Sequence, residues 1–528
     1  MSETGEPERQ LKRVLGPVHL TLLGVGATVG AGIFSMVGTA ASGADGRPGA
    51  GPALVVSFAL VAVASGFAAL CYAEFAAMVP VAGSAYTYAY ATLGQLMAWI
   101  IGWDLILEYA VGNVGVAIGW SDYFQSLLEG FKIHWPAWLG TDFWTALQGM
   151  HAVAKAKAEG VNPATVGDTL RRGADAWNLS PQFAGIHLIF NLPAVAIVVL
   201  VTWVLVRGIR ESAGFNSAMV WLKLAIIAFF VAVGSFYVKP ENWHPFFPNS
   251  FTGVSKAAAI IFFAYIGFDA VSTAAEETRN PQRDMPIGII ESLVVCTVVY
   301  ISVALVLTGM VKWDQFSGVA DPLAKAFQDR GMNWTAGVIS FGAVFATTSV
   351  LLVFQLGQPR ILFSMSRDGL LPAWASKVHP KYRTPHISTI WTGVFVAGFA
   401  AVSNIEEVAV LCNIGTLFAF VLVAVGVLVL RKTDPDRPRP FRTPLVPWVP
   451  ICAILSCGYL MAELNWVTWL RFFGWLALGM VIYFMYGYRR ANMPERQGAK
   501  TAENPAIPQK RAETQSGESQ PKDRVIGE

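Results

Sequence analysis

The chain has 528 residues, 54% of them hydrophobic and only 14% charged, with a formal net charge of +3. Soluble domains carry about 25% charged residues, so this composition, with a mean hydropathy of +0.49, excludes a soluble globular protein and puts the bulk of the chain in lipid. The small positive balance, with Lys and Arg spread through the loops, also excludes nucleic acid as a partner.

In chain order, Met1 to Gly16 is polar and charged and lacks the short apolar region and small-residue cleavage site of a secretory leader. The first apolar span is therefore expected to stay as an anchor. That span, Val18 to Gly38, has about the ~20 residues a bilayer crossing needs. Its middle, GATVGAGIF from Gly26 to Phe34, is its poorest helix former. Gly24, Gly26, Gly30 and Gly32 each cost ~1 kcal/mol relative to Ala in a helix, and Thr28 and Val29 are β-branched. A break is expected here, and open backbone at membrane depth is tolerated only against protein or a watery cavity. Close helix packing through small residues is the competing explanation.

Apolar runs bounded by charge or Pro/Gly clusters predict twelve membrane helices, at 17–38, 51–79, 95–124, 184–207, 216–238, 254–275, 286–311, 333–357, 386–403, 408–430, 447–464 and 468–488. The chain then divides into a cytoplasmic tail over 1–16, five spans over 17–238, five more over 254–430, two within 447–490, and a disordered cytoplasmic tail over 491–528, rich in Gln, Lys, Glu, Ser and Pro. A cytoplasmic N-terminus puts Arg207, Arg210, Arg279, Arg283 and the clusters Arg360 to Arg383 and Arg431 to Arg442 inside, as positive-inside bias requires. One outer loop, 127–183, is long, and Trp144 to Trp177 within it reads as amphipathic helix; a solvated cap and a docking surface for an unproven partner are both open. Cys71, Cys296, Cys412, Cys452 and Cys457 match no zinc or disulfide spacing and read as small core residues.

The sixth span carries AYIGFDAVSTAAEETRNP, Ala264 to Pro281, with Gly267 and Asp269 at mid-membrane. An ionisable residue there costs at least ~2.5 kcal/mol, so it should face a cavity or a partner. Spans one and six each open a set of five, and interrupted segments at matching places in two halves point to a transporter binding site. Amides of Thr28, Val29, Gly30, Ala31 and Gly32 would seat a carboxylate at a helix N-terminus. Carbonyls near Ala27, Phe263, Ala264 and Ile266 would accept from an ammonium group, which together describes an α-amino acid. Phe263 and Phe268 would wall the site, or simply pack.

GATVGAGIF, FFAYIGFDAVSTAAEETRNP and GQPRILFSMSRDGLLP (Gly357 to Pro372) resemble the amino-acid/polyamine/organocation superfamily of transporters. NIGTLFAFVLVAVGVLVLRK (Asn413 to Lys432) and RPFRTPLVPWVP (Arg439 to Pro450) are similar to its cationic amino-acid transporter subgroup, bacterial members above all. The likeness spans about residues 10 to 490. It implies an all-α membrane protein of the LeuT-type fold, with two inverted five-helix repeats, two further helices, breaks in helices one and six, and amino-acid import driven by the proton gradient. The outer loop is longer than in most bacterial members, and GATVGAGIF replaces the Gly-x-Gly-Thr or Gly-x-Gly-Ala of many relatives.

Lys223 lies well inside the fifth span with no acid one turn away on the same helix. The resemblance puts the matching lysine between helices one and eight, where sodium-coupled relatives hold a cation. It is the candidate for proton coupling, against a purely structural bond to helix-one carbonyls. Asp104 and Glu108 lie one turn apart on the third span. Glu108, Gly267, Phe268 and Thr348 are candidate pocket-lining residues, with cross-bundle bonding the alternative for Glu108. Glu74 reads as an interfacial or structural carboxylate, His187 as packing, and Arg360, Arg367, Asp368, Glu276 and Glu277 as inner-gate or solvated charges.

The reading is a secondary amino-acid transporter of the bacterial inner membrane with both termini cytoplasmic, coupling uptake of an L-amino acid to protons. An amino-acid or polyamine exchanger of the same fold is the alternative, and a non-transporting sensor a third. No metal-ligand cluster, nucleophile elbow or nucleotide loop argues for an enzyme, a metal or a cofactor.

Overall fold

Helix-breaking residues at two depths split two spans in the computed structural model, which describes residues 15–44, 47–79, 84–160, 162, 166–208 and 213–491. The first span is α1 (Pro17–Thr28) and α2 (Gly32–Ser42), bent by 44° at Val29 to Ala31. The helices α3 (Leu54–Met78), α4 (Ser84–Thr92) and α5 (Gln95–Gly130) follow. A peripheral pair, α6 (Phe143–Ala158) and α7 (Asp168–Leu179), precedes α8 (Leu192–Arg207) and α9 (Ala213–Ser235). The second split span is α10 (Ser250–Ile261), a 3₁₀ turn over Phe262–Tyr265, and the 3₁₀ helix α11 (Phe268–Glu277). Then come α12 (Pro281–Met310), the short α13 (Pro322–Gln328), α14 (Asn333–Arg367), α15 (His386–Val402), α16 (Ile405–Thr433), α17 (Trp448–Ala462) and α18 (Trp466–Gly487).

Among the described residues, eight helices are long and apolar enough to cross a membrane and the bent first pair makes a ninth. Three shorter apolar helices, α8, α15 and α17, accompany them. The only sheet structure described is two short hairpins, Gly43–Ala44 with Arg47–Pro48 and Gln182–Phe183 with Ile186–His187.

Several boundaries differ from the sequence expectation for identifiable reasons. The fourth span starts at Leu192, not 184, because Gln182 to His187 turns back on itself as a hairpin. The eighth, expected to stop at 357, runs to Arg367 through Pro359, since neighbouring helices can absorb a proline in a membrane bundle. The outer helix expected over Trp144 to Trp177 is two, crossing where both chains carry glycine: a Cβ on Gly149 would stand 2.1 Å from the Leu170 carbonyl oxygen, and one on Gly173 2.4 Å from that of Thr145. This pair is tied to both halves of the chain, by Arg172 to Glu129 at 3.1 Å on α5, Lys325 to Asp168 at 3.4 Å, and Asn404 donating to Thr145 Oγ1 at 2.9 Å. The expectations for residues 1–14, for Arg210 and for the tail over 492–528 lie outside the described residues.

The two breaks cross each other. A Cβ on Gly32 would lie 2.3 Å from the Ala264 Cα, and one on Gly267, whose φ is +116°, would lie 2.9 Å from the Ala27 carbonyl carbon. Both of the explanations open at the sequence level therefore operate, on different glycines. Gly24 and Gly30 are packing residues, against Ser292 of α12 and Val350 of α14, whereas Gly267 supplies a positive φ that L residues avoid. Gly32→Ala is expected to lower the thermal midpoint of the purified protein through a clash with backbone, by the equivalent of about 1–3 kcal/mol or more. Gly398→Ala, where nothing stands within 4 Å, is expected to leave it unchanged.

Candidate functional site

At the crossing the chain leaves polar backbone open in an apolar interior. α1 ends at Thr28, whose hydroxyl donates back to the Gly24 carbonyl at 2.8 Å, and the Val29 amide still donates to Val25 at 3.0 Å. Val29 is extended (ψ 96°), and Gly30 to Gly32 lead into α2 through a π turn over Gly32–Met36. The break therefore sits later than expected: among the described residues the amides of Gly30, Ala31 and Gly32 find no backbone acceptor across it, while those of Thr28 and Val29 belong to the first half helix. That removes Thr28 and Val29 from the amide set. All five residues are buried.

Three side chains from elsewhere close on the carbonyls. Lys223 of α9, 1% exposed, donates to Gly26 at 2.7 Å, Val29 at 3.1 Å and Ala346 of α14 at 3.4 Å. It bridges the first and eighth spans, and no acidic side chain pairs with it among the described residues. Tyr300 of α12 lies 3.0 Å from the Thr28 carbonyl oxygen and 2.7 Å from that of Ala264, donating to either. Asn413 of α16 donates to Ala259 and Ile260 at 2.8 and 3.0 Å, capping the carbonyls at the end of α10. Tyr300 and Asn413 went unassigned at the sequence level. The available signal was a lone phenol and a lone amide deep in apolar spans, each of which must find a partner.

The remaining expected residues divide. Ala27, Phe263, Ala264 and Ile266 come together at the crossing, with the Ala264 carbonyl already engaged by Tyr300. The Phe263 ring lies against Gly115 of α5, where an added Cβ would meet it at 3.1 Å. Phe268 turns away, with its ring 6.3 Å from Tyr72 and 5.2 Å from Phe420, so it packs and does not line the site. Thr348 accepts from Trp120 at 2.9 Å. It sits two residues from Ala346 and from Val350, the α14 positions that meet Lys223 and Gly30, hence on another face of the helix. Glu108 lies in a π turn over Leu107–Val111 of α5, a local irregularity frequent at functional sites. Its carboxyl, 1% exposed, faces Asp269 and Thr416, and Tyr109 reaches Asp269 at 3.4 Å. Asp269 also faces the first amides of α11, a favourable place for a carboxylate.

The end of the bundle where α1 begins is closed by backbone. The Leu15 amide donates to Glu277 at 3.0 Å and the Arg279 amide to Leu15 at 2.9 Å. Nearby, Tyr86 donates to Asp368 at 2.8 Å and Arg360 stands 3.9 Å from Glu277. Glu74, expected to be structural, accepts two bonds from Arg431 at 3.0 and 2.8 Å and one from the Thr443 amide at 2.7 Å. At the opposite end a cavity of about 900 Å³ lies under the α6–α7 pair and reaches down to Ser35, Met36 and Ile118. Charges of both signs line it, among them Arg47, Arg172, Asp122 and Asp321, and burial pushes the Asp321 carboxyl up, with Ser126 opposing. His187 stacks on Trp177 at 4.1 Å and bonds Ser180 at 2.7 Å, a packing role beside the α6–α7 pair.

Residues 15–491 match the amino acid permease family. The branched-chain amino acid permease BcaP of Bacillus subtilis is 48% identical over 486 residues, covering 92% of this chain and 95% of that one. The methylthioribose transporter of the same organism is 45% identical over 483 residues, with the same coverage. The vacuolar cationic amino acid transporter 4 of Arabidopsis thaliana is 35% identical over 433 residues, 81% of this chain and 64% of that one.

Tyr300→Phe removes one hydroxyl that serves both broken spans. The expected cost is about 1–3 kcal/mol, read as a lower thermal midpoint, whereas Ser302→Ala on the same helix, whose exposed hydroxyl bonds only its own turn, should leave the midpoint in place.

Proposed function

The chain belongs to the amino acid permease family and is a multi-pass membrane transporter, not an enzyme; on that premise we propose that it imports a neutral aliphatic L-amino acid by proton symport and alternating access. The observation that carries the reading is the crossing of two broken spans, with the Gly30, Ala31 and Gly32 amides on one side and carbonyls near Ala27, Phe263 and Ile266 on the other. Amides at a helix N-terminus favour a carboxylate, and open carbonyls favour an ammonium. Val350 and Phe263 beside the crossing suit an aliphatic side chain, and the printed substrate of BcaP points the same way.

The nine long or paired spans and three shorter apolar helices support twelve crossings in a LeuT-type arrangement, with residues 17–238 and 254–430 as the inverted repeats. The Arg and Lys clusters favour cytoplasmic termini in a bacterial plasma membrane. Lys223 is the proton-coupling group in this scheme. An ammonium in that position holds α1 to α14 through three carbonyls, and losing its proton removes the charge that strengthens those bonds. Deprotonation thus loosens the two elements when the cavity opens inward. Glu108 and Asp269 form a polar support on the inner side of the break.

A second reading follows from the relative named as a methylthioribose transporter, at 45% identity: the pocket takes a neutral thio-sugar. Such a molecule offers neither a carboxylate nor an ammonium to the two poles. Proteoliposomes with an imposed inward proton gradient separate these readings. Labelled leucine is expected to accumulate, to be displaced by valine and isoleucine, and to be unaffected by arginine or methylthioribose. Displacement by methylthioribose alone moves the assignment to the second reading, and accumulation only when the vesicles are preloaded with an amino acid moves it to exchange.

Lys223→Met should abolish gradient-driven accumulation while leaving measurable leucine counterflow. Accumulation at the wild-type level by this variant would sink the coupling role.

A further inference from the structure

At the periphery of the bundle, α5, α14 and α15 enclose a crevice of about 360 Å³ that the transport site does not use. Its mouth is two tryptophans, Trp374 at 42% and Trp391 at 60% exposure. Its interior is Ile106, Ala110, Leu362 and Phe395, with two polar side chains at the bottom. These are Gln358 and Thr392, 1% and 4% exposed. Among the described residues, both ends of the Gln358 amide and the Thr392 hydroxyl have no hydrogen-bond partner. A buried polar group left alone costs about 1–3 kcal/mol, so three such atoms around one crevice call for an occupant.

Chemistry narrows what it is. The volume equals about twelve waters, far more than three polar atoms can hold in an otherwise apolar space. Among the described residues no charged side chain lines the crevice, which argues against an ionic head group. The polar atoms lie beneath an apolar rim, the reverse of a phospholipid with its head at the membrane surface. A group that both donates and accepts satisfies an amide with two free ends, and the tryptophan rims suit a flat ring. We infer that this crevice binds a small uncharged aromatic amphiphile, such as a phenol or an indole, entering from the bilayer with its hydroxyl or N–H inward. Ala110 belongs to the same π turn as Glu108, and Gly357, next to Gln358, packs against the Tyr109 ring at 2.6 Å from an added Cβ. An occupant therefore presses on the contact between α5 and α14 and changes transport without competing at the central site.

The test is photolabelling of the full-length protein in lipid vesicles with a diazirine-bearing phenol, read by mass spectrometry. Saturable labelling of the peptides carrying Trp374 and Trp391 is expected, competed by unlabelled phenol and indole but far less by benzene, which lacks the polar group. Gln358→Leu is expected to weaken phenol competition about tenfold, and the near-isosteric Thr392→Val to weaken it in the same direction, both with an unchanged elution profile. Labelling that never saturates, as a crevice holding only water would give, overturns the inference. So does benzene competing as well as phenol, or wild-type competition in both variants.

Discussion

Open backbone in a medium without water has to be satisfied by protein, and this structure is arranged around doing so twice. Each break in a span frees amides and carbonyls whose isolation in hydrocarbon costs several kcal/mol. Lys223, Tyr300 and Asn413 arrive from three different helices to meet the carbonyls. Their placement also fixes which backbone groups stay unpaired. The amides of Gly30, Ala31 and Gly32 are left over, and these are the groups with the geometry for an anion. Site and scaffold are the same set of bonds viewed from two sides.

Glycine makes this arrangement sterically possible. Gly32 against Ala264 and Gly267 against Ala27 bring the two breaks within backbone contact, closer than any side chain permits. Gly115 and Gly119 of α5 then admit Phe263, Ala31 and Ser35 from above. The result is a crossing that is buried from both faces, sealed at one end by the Leu15 to Thr278 bridge and bordered at the other by the charged vestibule under α6 and α7. The α6–α7 pair joins elements of both halves of the chain, so motion of one half relative to the other has to stretch or break the contacts at Glu129, Asp168 and Thr145.

The charged residues sort by whether they have a partner. Glu74 is held by Arg431, Arg439 and the Thr443 amide, a cluster that ties α3 to the end of α16 and the loop after it. A buried acid with such partners is architecture, and removing one member would leave a bare charge. Glu108 and Lys223 differ, since among the described residues each is buried without a counter-ion and each touches a helix irregularity. That contrast, more than depth in the membrane, sets these two residues apart from the charges that hold the fold.

What the sequence determined alone was the class of chain, the existence of two breaks and the residues close to them. Apolar length, glycine content and an acid at mid-membrane are local properties, legible without neighbours, and GATVGAGIF with AYIGFDAV located both breaks to within a few residues. Lys223 stood out for the same reason, a long cation in an apolar run. Only the tertiary structure decided which atoms are free. Whether Thr28 and Val29 end the first half helix or line the site depends on where the hydrogen bonds to Gly24 and Val25 give out. The turning of Phe268 toward Tyr72 and of Thr348 toward Trp120 depends on helices far away in the chain. Hydrogen-bond partners and helix faces are long-range choices, set by packing between segments that sequence reads one at a time.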